Sequence, residues 1–250
     1  MIDSHTHIQL AGYNDLEQMG ISGIEKIISC TVGSSITIQS LYEEVDKLLN
    51  VYMNNAKNNG IELYLAVGIH PINIPPDWRS GLNKIEEYFT LDRVVAIGEV
   101  GINSDRKIEE EVFKEMVKMG KAYDLPIIVH TPFTNRVDIV RKEISVIDNV
   151  GISQELVVID HINTDIYQIV KEKGYRMGLT VREGRLTAEN IYKNIEIFSD
   201  GMLNSDLINT GPSDSLSLPK TIKYLKSKGV NKEIISNISE KNALKTFRKI

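Results

Sequence analysis

The chain has 250 residues, 42% hydrophobic and 25% charged, a composition that excludes a disordered or fibrous polypeptide. Its formal net charge of −5 excludes a generally basic surface for broad contact with nucleic acid, so any affinity for phosphate must be local. The single cysteine, Cys30, excludes an internal disulfide and, within the apolar run KIISC, reads as a buried thiol suited to a reducing compartment.

Short runs rich in Val and Ile predict strands over 1–5, 26–30, 62–68, 94–99, 126–130, 156–161, 175–180 and 201–205. LYLAVG, VVAIGE, LPIIVH and LVVID are apolar on both alternating faces, the pattern of strands covered by a barrel interior on one side and helices on the other. Between the second and third strands the long segment 34–60 contains a helical stretch, IQSLYEEVDKLLNVYMNNAK, that exceeds a minimal barrel unit. EEEVFKEMVKMGKAYD predicts a helix with Val112, Met116, Met119 and Tyr123 on one stripe, acids early and lysines late as the helix dipole favours. Gly60, Asp124 ahead of Pro126, Gly174 and Gly229 mark helix exits, Ser217 before Pro219 marks a helix start, and a final helical stretch follows Asn231. Eight strand–helix alternations without an intervening linker predict an α/β fold, a TIM (β/α)8 barrel in which residues 1–250 form a single domain. No apolar run approaches the roughly 18 residues that span a bilayer, and no basic-then-apolar leader opens the chain. The expected location is cytoplasmic, with no membrane partner; the sequence leaves the oligomeric state open, a monomer being plausible.

The five histidines fall at strand exits: His5 and His7 at the first, His70 after the third, His130 at the fifth and His161 at the sixth. Strand carboxyl ends share one face of such a barrel, so the five are expected to converge. A lone histidine beside an apolar strand is usually a hydrogen-bonded structural residue, but chance would scatter several onto helices. Glu99 closes the fourth strand and Asp206 follows the eighth.

In HTH, His5 and His7 point the same way because strand residues two apart share a face. Imidazole with carboxylate suits Zn²⁺, Mn²⁺, Co²⁺ or Fe²⁺, whereas Mg²⁺, still a candidate, takes oxygen more exclusively. Glu99, with two oxygens, is the natural shared ligand of two divalent ions, one held by His5, His7, Asp206 and Glu99, the other by Glu99, His130 and His161. Such a pair activates water without a serine or cysteine nucleophile. Asp206 would orient that water and take its proton, and His70 would hydrogen-bond a substrate oxygen or the leaving group. Competing templates are missing: there is no Walker loop, GEVGIN lacks the G-x-G-x-x-G spacing, and no G-x-S-x-G occurs.

DSHTH, VGIHP after the third strand, AIGEVGIN at the fourth, LPIIVH at the fifth, the histidine closing the sixth and the aspartate after the eighth resemble TatD-type metal-dependent hydrolases of the amidohydrolase superfamily. The closing EKNALKTF is similar to that family's usual end, so the resemblance spans nearly the whole chain. It implies a TIM barrel, a two-metal site and deoxyribonuclease activity on phosphodiesters, with metal roles on His5, His7, Glu99, His130, His161 and Asp206 and a substrate-phosphate role on His70. Three positions depart from the family pattern: Ile72 stands where another histidine is common, Pro132 where an arginine is common, and Asn204 in place of an acid.

The leading expectation is a phosphodiesterase acting on DNA ends or a small phosphodiester, because a deep barrel mouth does not admit intact duplex. A hydrolase of small-molecule amides, ester or lactones could use the same metals, and a metal-loaded binding protein without turnover is the third alternative. Arg182, Arg185 and Arg136 are candidate phosphate clamps, although solvated surface arginines are the simpler reading. Asp214 rivals Asp206, with helix capping its simpler role.

Overall fold

A computed structural model describes residues 1–208 and 214–250. Eight parallel strands follow one another around a nearly closed barrel: β1 (Ile2–Thr6), β2 (Lys26–Cys30), β3 (Glu62–Ala66), β4 (Val94–Gly101), β5 (Ile127–His130), β6 (Val157–Ile159), β7 (Arg176–Thr180) and β8 (Met202–Asn204). Each pairs with the next in sequence, from β1 on β2 to β7 on β8. The seam between β8 and β1 is closed just beyond the strands. Asp206 N donates to His5 O over 2.9 Å and His7 N to Leu207 O over 3.1 Å. Lower in the seam, the Asp3 carboxylate accepts from Ser205 N and Ser205 Oγ at 3.0 and 2.6 Å.

Period-two alternation divides the strand side chains into two sets. Ile2, Ile28, Tyr64, Ala66, Ala96, Ile128, Val158 and Met202 form an inner cluster with Ala243 and Phe247. These last two follow from the helix Asn242–Thr246, so the C-terminal helical stretch closes the end of the barrel opposite the histidines. The outer set, including Ile27, Leu63, Leu65, Val94, Ile97, Val129 and Leu203, packs under the helices.

The segment 34–60 is the crossover between β2 and β3 rather than an addition to the barrel. It runs as Gln39–Lys47 and Met53–Asn58 joined by a π-helical Leu48–Tyr52. A second π-helical segment, Asn237–Lys241, lies in the C-terminal stretch. The helix Lys107–Tyr123 buries Val112, Met116 and Met119 as expected, but Tyr123 is 38% exposed. Its ring packs edge-on against Phe89 and its hydroxyl donates to Glu86, while Phe113 and Val117 complete the buried face. The four expected helix exits all have left-handed backbone; Asp124 alone among them carries a side chain, at φ 52°. Ser217 opens the helix Ser217–Ser227 without capping it, its Oγ having no partner among the described residues. Among the described residues no helix is long and apolar enough to cross a membrane.

Candidate metal centre

Strand direction carries the expected residues to one end of the barrel, where His5, His7, His70, Glu99, His130, His161 and Asp206 are all buried. His161 and Asp206 lie just past β6 and β8 with φ of 55° and 45°. A side chain in this left-handed region costs about 1 kcal/mol or more. The turns are held by His161 N donating to Asp160 Oδ1 at 2.7 Å and by the seam bond from Asp206 N. They swing both side chains off the strand direction and towards Glu99 and the histidine pair.

Glu99 occupies the centre, and its two oxygens face different partners. Oε2 lies 3.5 Å from His5 Nε2, 3.6 Å from His7 Nε2 and 3.2 Å from His70 Nε2. Oε1 lies 2.7 Å from His130 Nδ1 and 3.0 Å from His161 Nε2. Asp206 Oδ1 completes the first group at 3.4 Å from His7 Nε2 and 4.0 Å from His5 Nε2.

The hydrogen bonds on the far side of each ring decide what each histidine presents. His7 Nδ1 donates to Cys30 O, which can only accept, at 2.9 Å. His5 Nδ1 is bound to the Asp160 carboxylate, and His161 Nδ1 to Thr180 Oγ1 at 2.8 Å. His130 Nε2 contacts Asn103 Oδ1 at 3.2 Å. With one nitrogen of each ring committed as a donor, the other offers a lone pair to the centre. His70 is the reverse. Its Nδ1 accepts from Ile72 N at 3.2 Å, so its Nε2 carries the proton and donates towards Glu99 Oε2. Four histidines are thus turned so that they could ligate a cation, and the fifth is turned as a hydrogen-bond donor.

This donor set fits divalent cations. The lone pairs of His5 Nε2 and His7 Nε2 face each other at 3.2 Å beside two carboxylates, an arrangement that demands positive charge between them. The same demand raises the pKa of His7 to about 9: burial opposes the charge, but Asp206 and Glu99 outweigh it. Burial, first of all, lowers His70, which keeps it neutral with one proton to give. Burial would also raise Asp206, but His7, His161 and His5 hold it well below the ordinary carboxylate range.

Sequence reasoning missed Asp160. This fully buried acid precedes His161 and accepts at Oδ1 from His161 N, Asn204 Nδ2 at 2.8 Å and Thr180 Oγ1 at 3.3 Å, while Oδ2 holds His5. Burial would raise its pKa, but His161 and His5 hold it at about 2. Asn204, standing where an acid is usual, thus supplies a donor that an acid would not. Gly178 on β7 makes the room, since a Cβ there would collide with Asp160 Oδ1. The one signal available was an aspartate ending an otherwise apolar run, LVVID.

The reading of the arginines as solvated is corrected for two of them. Arg182 and Arg185, on the loop after β7, line the cavity of about 240 Å³ above the centre together with His7, His70, Glu99 and Asp206. Arg182 Nη1 donates to Asp206 Oδ2 at 2.7 Å. Arg136 lines a separate cavity beside Asn163 and Asp165 and donates to His161 O at 2.8 Å. Asp214 does not reach the centre: its Oδ1 accepts from Leu216 N at 3.0 Å and its Oδ2 pairs with Lys220, at the start of the helix Ser217–Ser227.

A family model described as TatD related DNase matches residues 2–180. The chain belongs to the TatD family. Among TatD-family relatives, an uncharacterized metal-dependent hydrolase of Methanocaldococcus jannaschii is 34% identical over 251 residues, covering 99% of this chain and 100% of that protein. The human deoxyribonuclease TATDN3 is 23% identical, covering 100% of this chain and 95% of its own length. The crystal structure of a TatD-like protein from Archaeoglobus fulgidus superposes with a TM-score of 0.84 at 29% identity, over 99% of this chain and 100% of that one. The Escherichia coli phosphotriesterase homology protein, crystallised with phosphate in its active site, shares the fold with a TM-score of 0.73 at 14% identity, over 98% and 97% of the two chains.

Proposed function

We propose that this TatD-family metal-dependent hydrolase cleaves phosphodiester bonds, at DNA ends or in a small nucleotide-like substrate, with a water activated by two divalent ions. The observation that carries the reading is the division of Glu99, one oxygen facing His5 and His7 and the other facing His130 and His161. His5, His7, Asp206 and Glu99 would hold one ion, and Glu99, His130 and His161 the other, with Zn²⁺, Mn²⁺, Co²⁺ and Mg²⁺ as candidates. Bound there, the ions supply positive charge that lowers the pKa of water towards neutrality and polarises a phosphoryl oxygen.

The protein's own groups do the rest. Arg182 occupies Asp206 Oδ2, which leaves Oδ1, on the histidine side, to orient the attacking water and accept its proton. His70, neutral and protonated at Nε2, donates to a substrate oxygen as charge develops on it. The guanidiniums at the mouth favour an anionic substrate over a neutral amide or lactone. A cavity of about 240 Å³ suits a single nucleotide-sized group and supports the second reading, hydrolysis of a small molecule, equally well. The buried thiol of Cys30 agrees with work in the cytoplasm.

The test is a panel with Mn²⁺, Mg²⁺, Zn²⁺ and Co²⁺ that compares single-stranded DNA and bis-p-nitrophenyl phosphate with simple esters and lactones. Turnover of the phosphodiesters above that of the neutral esters supports the reading. Turnover confined to esters or lactones replaces it with the second.

A further inference from the structure

The two guanidiniums on the loop after β7 are held in different ways. Arg182 is neutralised by Asp206 at 2.7 Å. Arg185 has no such partner: among the described residues no carboxylate lies within ion-pair distance of it, and its one side-chain hydrogen bond is Nη1 to Thr131 O at 3.0 Å. Its Nε is buried with no partner among the described residues. Its plane is fixed by stacking, with Cζ 3.7 Å from the centre of the Phe133 ring. The ring itself rests against Gly184, where a Cβ would come within 3.2 Å of it. Burial, and after it the neighbouring charge of Arg136, depresses Arg185 to about 10.

A half-buried cation stacked, aimed and left without an acid is an unfinished ion pair. Its anchor, Thr131, directly follows the candidate ligand His130, and the Arg185 side chain lines the same cavity as Glu99 and His161. The missing anion must therefore come from what enters that cavity. We infer that Arg185 is the specificity residue for the substrate, recognising a non-bridging phosphoryl oxygen, and that it supplies the cation absent at Pro132. The fixed guanidinium plane matches a tetrahedral oxyanion better than the single oxygen of an ester carbonyl. Arg182, whose charge Asp206 already balances, is the weaker partner for such an anion. This inference rests on the hydrolase reading of the site.

The experiment uses Mn²⁺-loaded protein and inorganic phosphate as the probe, followed by titration calorimetry, with Arg185→Met and Arg185→Lys compared with wild type. Loss of a charge-assisted hydrogen bond predicts that Arg185→Met binds phosphate about tenfold to a hundredfold more weakly. Manganese content per chain should stay at the wild-type value, and Arg185→Lys, which keeps the charge and loses the fork, should fall between the two. In steady state with bis-p-nitrophenyl phosphate, the defect should be carried mainly by KM. Phosphate affinity within about twofold of wild type in both variants overturns the inference. If Arg185→Met fails to fold, Arg185→Lys decides by the same criterion. Phosphate binding that depends on Arg185 without phosphodiester turnover by wild type would keep the inference and remove the phosphodiesterase reading. Turnover with phosphate affinity indifferent to Arg185 would do the opposite.

Discussion

His70 donates its Nε2 proton towards Glu99 Oε2 over 3.2 Å, while His7, 3.6 Å from the same oxygen, has Nδ1 fixed as a donor and Nε2 free for a cation that would displace its proton. Two chemically identical side chains are thus set to opposite tasks by one backbone group each: Ile72 N–H on His70 and Cys30 C=O on His7. His70→Ala should leave metal content per chain unchanged and lower kcat by about a hundredfold to a thousandfold, as loss of one preorganised donor does. Metal loss in this variant, measured by elemental analysis, would make His70 a ligand instead.

Glu99 is the one group shared by both histidine sets. Glu99→Ala is expected to empty both positions, because each set loses its bridging oxygen and the anionic charge that holds the cations. Elemental analysis after dialysis checks this. Full retention of metal would remove Glu99 from the centre of the scheme.

Asp160 holds the ring of His5, the backbone of His161 and, through Thr180, the ring of His161. Asp160→Asn should weaken metal binding about tenfold to a hundredfold, the usual effect of losing the carboxylate behind a ligating histidine. Competition against a chelator measures it. Gly178→Ala should produce the same defect from the other side, since its methyl group would displace Oδ1. Unchanged affinity in both variants would reduce Asp160 to a packing residue.

Glu143, on the helix Arg136–Val150, gives a pH dependence of stability. It is fully buried, Oε1 accepts from Ile102 N at 2.8 Å, and Oε2 has no partner among the described residues. Burial raises its pKa well above the ordinary 4.5, with Glu99 and Glu109 adding to the rise. The folded chain therefore keeps a proton that the unfolded chain releases above about pH 4.5. Stability is full below that pH and declines as pH rises towards the elevated native value, by at most about 1.4 kcal/mol per unit. Glu143→Gln should flatten this part of the curve. Thermal melts from about pH 5 to about pH 8 check it, and parallel declines in both proteins would contradict it.

The barrel was legible because buried parallel strands write themselves as doubly apolar runs, and the site because its histidines close those runs. Boundaries were less so: β6 spans Val157–Ile159 where 156–161 reads as a strand, since backbone pairing ends before the left-handed turn at His161. Asp160 was illegible for a related reason, as an acid beside a candidate ligand carries no period and three of its four partners, His5, Thr180 and Asn204, come from strands distant in sequence. Arg185 was misread because its burial depends on the ring of Phe133, more than fifty residues earlier, and composition cannot report that contact. The stripe fails at Tyr123, the last residue of its helix, which stays 38% exposed with its ring edge-on to Phe89.

The closure of β8 against β1 sets an order of events for the newborn protein. Every histidine and Glu99 leave the ribosome before Asp206, whose position depends on its backbone bond to His5 across the seam. A half-synthesised chain can gather imidazoles but lacks the aspartate that would take a proton from water. On the proposed role of Asp206, hydrolytic competence therefore arrives with the last staves of the cylinder.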